Sequence, residues 1–186
     1  MTGAAQIDLF GDMSVRAPIV AGFDYWADVL PAPEQAALVA ALQTLAFKPY
    51  EHLGYLGHRR IAAFGRGASG AGWPVFLSQL MARLADRLDL DDAAYVQVLV
   101  SDYAQGAGIG WHRDRPVYGE ILGLSLLAPC VMRLRRRDGA GFLRRYAPLA
   151  CGSAYRLSGE ARAAWEHSIT PMTALRYSVT FRTLTG

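Results

Sequence analysis

The chain is short of the residues that build simple staples and simple metal frames. It has two cysteines, Cys130 and Cys151, too few and too widely spaced for a disulfide scaffold or a cysteine-based zinc site. A reducing, cytoplasmic setting is therefore expected. No apolar run approaches the roughly 20 residues that cross a bilayer, and no membrane association is expected. The opening residues, MTGAAQIDLFGD, show no charged stretch leading into an apolar one, so no export leader is expected either. Lysine is almost absent: Lys48 stands alone among 19 cationic residues, and the rest are arginine. Arginine offers a planar fork that suits carboxylates and phosphates, although genome base composition produces the same skew. Histidine is scarce too. Any imidazole-based metal site must be drawn from His52, His58, His112 and His167.

What is present describes an ordinary globular chain. At 186 residues, 52% hydrophobic and 19% charged, it suffices for one domain with a sizeable core. Residues 1–16 read as a flexible N-terminal arm and 17–186 as a single domain. A helix is predicted from Pro33, with Leu38, Leu42 and Leu45 on one stripe. A second follows Pro74, where Phe76, Leu77, Leu80, Met81, Leu84 and Leu88 keep a helical period. Between them a short strand is expected around Arg60–Phe64, followed by a glycine-rich loop. From Ala94 onward short β-branched and aromatic segments alternate with Gly, Pro, Asp and Ser clusters. That texture predicts a β-sandwich or barrel, and the whole reads as an α+β chain whose N-terminal helices buttress it.

The chemistry concentrates in GIGWHRDR, Gly108 to Arg115. Side chains two apart on a strand share a face, so His112 and Asp114 can converge on one ion. A second imidazole would complete the facial triad of non-haem Fe(II) oxygenases, with open coordination positions. His52 and His58 lie upstream, while His167 lies in a late predicted strand, WEHSIT. At the C-terminus LRYSVTFR sets Arg176, Ser178, Thr180 and Arg182 on one face. Inward arginines in a sandwich are costly unless an anion meets them. The alternatives are an edge strand whose arginines reach water, or internal pairing with Asp or Glu.

The order His-x-Asp, distal His, then Arg-x-Ser-x-Thr-Phe-Arg resembles the AlkB family of Fe(II)- and 2-oxoglutarate-dependent dioxygenases. SDYAQGAGIGWHRD is similar to that family's first-ligand segment and LSGEARAAWEHSI to its distal-histidine segment. The likeness covers residues 94 to 184, with HRRIAAFG agreeing more loosely. It implies a double-stranded β-helix (jelly-roll) core and an iron site of His112, Asp114 and His167, with Fe(II), 2-oxoglutarate and O2 as cofactor and co-substrates. It implies further that Arg176, helped by the hydroxyl of Tyr103, grips the distal carboxylate of 2-oxoglutarate, with Arg182 near the keto-acid end. Ser101 and Ser178 stand where the family's best-known members have asparagine, and serine hydrogen-bonds with shorter reach.

The implied activity is oxidative removal of N-alkyl groups from nucleic-acid bases, that is, repair of alkylated DNA or RNA taken single-stranded or as a flipped base. Candidate substrate contacts are Tyr50, Arg59, Arg60, Trp111, Arg113 and Tyr118, with Tyr55 and Trp73 as further stacking rings. Ile109, Trp111 and Leu124 are candidate apolar walls. The region corresponding to the family's base-gripping lid, residues 47–75, here contains RGASGAG, which offers little to stack on. The basic run Arg133 to Arg137 reads as a solvated strand face in preference to a phosphate track. QIDLF, with Gln6, Leu9 and Phe10, resembles the pentapeptide by which bacterial repair proteins dock on the sliding clamp. Packing of Leu9 and Phe10 on their own domain is the competing reading. The chain is expected to act as a monomer. Two other functions stay open: a 2-oxoglutarate oxygenase acting on a protein side chain, tRNA or small molecule, and a non-catalytic jelly-roll binding module.

Overall fold

A computed structural model describes residues 19–52, 55–66 and 72–186, without the side chains of 52 and 55–57. The expected arm at 1–16, the QIDLF segment with Gln6, Leu9 and Phe10, Gly67 and Gly70 of RGASGAG and the ring of Tyr55 lie outside the described residues.

Chain order runs β1 (Phe23–Trp26), α1 (Ala32–Gln43), β2 (Lys48–His52), β3 (Tyr55–Gly65), α2 (Val75–Leu88), β4 (Gln97–Tyr103), β5 (Ile109–His112), β6 (Tyr118–Leu126), β7 (Cys130–Asp138), β8 (Gly141–Leu149), β9 (Ala154–Leu157), α3 (Gly159–Ala163), β10 (Glu166–Ile169) and β11 (Arg176–Leu184). Every described strand pairing is antiparallel. One sheet has the order β1-β9-β6-β11-β4-β3-β2 and the other β5-β10-β7-β8. From β4 onward the chain passes back and forth between them, which is the jelly-roll path that the sequence led us to expect.

The two long helices, α1 and α2, each begin directly after a proline, and α1 has a second, Pro33, in its first turn. Pro31 caps α1 and Pro74 caps α2. Leu38 and Leu42 of α1, and Leu77, Leu80, Met81 and Leu84 of α2, are buried together with Val98, Val100, Leu122, Leu124, Val179 and Phe181. The helices therefore cover the outer face of the seven-stranded sheet, and each fully buried leucine there contributes about 1.5–3 kcal/mol. A separate core lies between the sheets, where Ile121, Met132, Leu134, Leu149, Tyr155, Leu157 and Trp165 meet.

The central strands are thus covered on both faces, and β4 reads as buried along nearly its whole length. The helix-facing side takes Val98 and Val100. The other side takes Gln97, Leu99, Ser101 and Tyr103, which with Ser178, Thr180 and Arg182 of β11 line a cavity between the sheets. Strand β3 is longer than the expected Arg60–Phe64. β1 and β2 are two strands that the sequence does not announce, since proline and charge interrupt their alternation.

Candidate metal centre

Register builds the site. His112, the last residue of β5, is the cross-strand partner of His167 in β10, and their ring centroids are 4.2 Å apart. Gly108 makes this approach possible. A Cβ there would lie 2.8 Å from the carbonyl oxygen of Ile169, so only glycine lets the start of β5 close on β10. The ligand atoms of His112, Asp114 and His167 all fall within 4.8 Å of one another. Among the described residues His58 is exposed and outside the cluster, and His167 supplies the second imidazole.

Asp114 arrives by a different route from the one expected. β5 ends at His112, so Asp114 sits in the following loop and strand alternation does not place it. Hydrogen bonds do. Arg182 Nη2 donates to Asp114 Oδ1 at 3.0 Å, while Arg182 Nη1 donates to Gln97 Oε1 at 2.8 Å. From α3 and its C-terminal end, Arg162 Nη2 donates to the carbonyls of Arg115 and Tyr118, both at 2.7 Å. Arg113 Nη1 donates to the carbonyl of Ala163 at 3.0 Å. Arg162 and Gln97 were not singled out in the sequence, and nothing local would have revealed them, because their partners are distant in the chain.

Protonation suits metal binding. His112 Nδ1–H donates to the carbonyl of Gly110 at 2.9 Å, which leaves the Nε2 lone pair as ligand. Burial holds the His112 imidazole below its ordinary pKa. Burial, then repulsion from His112, pushes His167 down to about 3. Burial alone would raise Asp114, but the Arg182 guanidinium and the two imidazoles outweigh it and hold the carboxyl below its usual range. Two neutral imidazoles and one carboxylate are the donor set that Fe(II) takes.

A second feature of the site is an uncompensated cation. Arg176 is fully buried. Its Nε donates to Ser125 Oγ at 3.1 Å, yet neither Nη1 nor Nη2 has a hydrogen-bond partner among the described residues. Its guanidinium lies 5.3 Å from the centre of the Tyr103 ring, so the Tyr103 contact is through the ring face. Ser178 is the register partner of both Ser101 and Ser125, which forms a row of three serines beside Arg176. Ser125 is a further site residue that the sequence reading missed. A buried cation with two idle donors matches a carboxylate, so the residues present fit both the iron and an organic acid.

The cavity between the sheets measures about 530 Å³ and is lined by Tyr50, Arg59, Tyr103, Ile109, Ser178 and Tyr155, among others. Burial raises the Tyr155 hydroxyl pKa, so it stays protonated. Arg59 is 5% exposed. Its guanidinium stacks 3.9 Å from the centre of the Tyr50 ring, and its Nε has no hydrogen-bond partner among the described residues. Arg113 and Tyr118 border both this cavity and an open cleft of about 960 Å³ beside it.

Four expectations need correction. Arg60 does not enter the cavity. As the neighbour of Arg59 on β3 it points to the opposite face, where it pairs with the buried carboxylate of Asp102. Leu124 belongs to the helix-side core and forms no wall. Trp73 packs on Phe181, with ring centroids 5.4 Å apart, and offers no stacking platform. Trp111 borders the cavity, but its indole lies against the guanidiniums of Arg135 and Arg133, at 4.5 and 5.0 Å.

The 2OG-Fe(II) oxygenase superfamily profile matches residues 41–182. The chain is 28% identical over 171 aligned positions to a protein of Arabidopsis thaliana named alkylated DNA repair protein ALKBH8 homolog. The alignment takes in 76% of this chain, which spans about half (49%) of that relative's length. Among solved structures, OsALKBH1 superposes with a TM-score of 0.68 at 15% identity, covering 90% of this chain and 99% of that one. A prolyl-4-hydroxylase of Pseudomonas putida superposes with a TM-score of 0.64 at 18% identity, covering 88% and 93%. At these identities the structural likeness speaks for the fold.

Proposed function

Because the chain belongs to the 2OG-Fe(II) oxygenase superfamily, we propose that it is a dioxygenase that removes N-alkyl groups from nucleic-acid bases. The family is one of non-haem iron enzymes using Fe(II), 2-oxoglutarate and O2, which sets aside a non-catalytic binding module. The observation that carries the assignment of roles is the pairing of a compact His112–Asp114–His167 cluster with the idle donors of Arg176.

In this reading His112 Nε2, His167 and Asp114 hold the iron. Iron held there would supply the chemistry that couples reduction of O2 to oxidation of 2-oxoglutarate, giving succinate and carbon dioxide, with the alkyl group released as an aldehyde. Arg182 occupies Asp114 Oδ1 and leaves Oδ2 for the metal. Gly110 fixes the His112 tautomer. Arg176 takes the distal carboxylate of the co-substrate through Nη1 and Nη2, while Ser125 and the Tyr103 ring keep its fork in plane. Ser101 and Ser178 border the same acid. Tyr155 and Ile109 narrow the cavity and exclude water from the reacting carbon.

For the substrate, support comes from the relative whose name is alkylated DNA repair protein and from Arg59 stacked on Tyr50 at the cavity wall. A planar ring and a cation together suit an extruded base. The prolyl-4-hydroxylase likeness favours a second reading, a protein side chain, because the fold serves both. One experiment separates them: alkylated single-stranded oligonucleotides incubated with enzyme, Fe(II) and 2-oxoglutarate, with Asp114→Ala as control. Repaired base with equimolar succinate and aldehyde supports dealkylation. Succinate without repair on any oligonucleotide moves the assignment to the second reading.

A further inference from the structure

The mechanism leaves one charged face of the molecule unused. It is the outer side of the four-stranded sheet, turned away from the cavity. Side chains alternate across β7, so Met132 and Leu134 enter the core while Arg133, Arg135 and Arg137 point outward. On β8 their register partners are Tyr146, Arg144 and Phe142 in turn. Trp111 of β5 completes the surface. The Arg135 guanidinium lies 4.5 Å from the Trp111 ring centre and 4.4 Å from that of Phe142. Arg137 and Arg144 flank Phe142 at 4.7 and 5.8 Å.

Charge on this face is not balanced. Arg135 has Glu166 as partner, with Nε to Oε2 at 2.6 Å, and Arg133 donates to Ser168 Oγ at 3.0 Å. Arg137 and Arg144 are exposed, and neither pairs with a carboxylate among the described residues. Arg135, already paired with Glu166, sits directly opposite Arg144 across the ladder, and like charges so placed repel. Tyr146 keeps 58% of its surface in solvent. Four strands at about 4.8 Å spacing give a strip roughly 14 Å wide. It starts at Trp111, the neighbour of the ligand His112.

We infer that this face is a track for single-stranded nucleic acid, continuing the substrate strand away from the cavity. Arginines alternating with aromatic rings meet both halves of such a strand. Phosphates pair with the guanidiniums, and a base stacks on the exposed ring of Tyr146. An acidic polypeptide would satisfy the charges but leave the rings unused. The inference rests on the nucleic-acid reading of the site, and its test is a binding measurement that needs no turnover.

The test uses the full chain loaded with Fe(II) under argon and a fluorescent, unalkylated dT oligomer, read by anisotropy over a range of salt. Arg137→Gln with Arg144→Gln should weaken binding roughly tenfold at low salt. The slope of log affinity against log salt should become shallower by about 1.4, for two phosphate contacts at about 0.7 each. Tyr146→Ala should cost about fivefold or more on dT and nothing on an abasic oligomer of the same length. Unchanged affinity and slope would overturn the track, as would displacement of dT by polyglutamate at equal charge. Equal loss on dT and abasic oligomers would overturn the stacking. If binding responds as stated while no alkylated base is repaired, the track stands and dealkylation falls. If an alkylated mononucleoside is repaired while the variants bind like wild type, dealkylation stands and the track falls.

Discussion

Replacing Arg176 with methionine should improve the empty protein while crippling its use of 2-oxoglutarate. Arg176 is fully buried, with Nη1 and Nη2 unpartnered among the described residues. A buried charge left in this state costs several kcal/mol. Methionine has similar length and is apolar. Its loss of the Nε–Ser125 bond costs about 1 kcal/mol. The metal-free variant should therefore be neutral to about 3 kcal/mol more stable than wild type in urea unfolding. Ligand binding should move the other way. Losing a bidentate, charge-assisted contact costs about 3 kcal/mol or more, which lowers affinity a hundredfold or more. At a 2-oxoglutarate concentration a hundred times the wild-type Kd, wild type gains about 2.7 kcal/mol and the variant at most about 0.4 kcal/mol. Arg176→Lys should recover little, because a point charge cannot reproduce the fork. If Arg176→Met destabilises the empty protein by several kcal/mol and keeps the full ligand shift, Arg176 has a structural partner and the argument fails.

Arg182→Gln should lower iron affinity about 10- to 100-fold, since Asp114 loses the donor at Oδ1; competitive chelation with unchanged circular dichroism would check it. Gly108→Ala places a Cβ 2.8 Å from a backbone oxygen, so it should cost about 1–3 kcal/mol and weaken iron binding in the same titration, whereas wild-type behaviour would show that β5 and β10 need no such closeness. The metal-free protein should lose stability as pH falls from about 6.5 toward 3. In that window His167, held down to about 3 in the fold, is neutral when folded and protonated when unfolded, so the unfolded chain binds more protons. Urea midpoints against pH should show a smaller decline in His167→Gln, and an identical decline would refute the assignment.

The candidate iron ligands were legible because histidine is scarce. With four in the chain and His-x-Asp at 112–114, few combinations remained, and the arginines of LRYSVTFR followed from strand alternation. The route of Asp114 was not legible. Strand alternation gave the right meeting by the wrong cause, since β5 ends at His112 and the loop is held by Arg182 and Arg162. Trp111 was readable in hindsight, because the residue next to an inward His112 on a strand points outward.

The sequence by itself determined the chemistry on offer: two imidazoles, a carboxylate and buried guanidinium charge on a β scaffold preceded by two helices. Only the tertiary structure decided which face each side chain joined. The reason is that the seven-stranded sheet is covered on both sides, by helices and by the second sheet. A strand such as β6, buried from Ile121 to Leu126, shows no polar alternation from which its phase can be read. Arg59 and Arg60, adjacent and chemically identical, were separated by register alone: one stacks on Tyr50 in the cavity and the other pairs with Asp102 behind it.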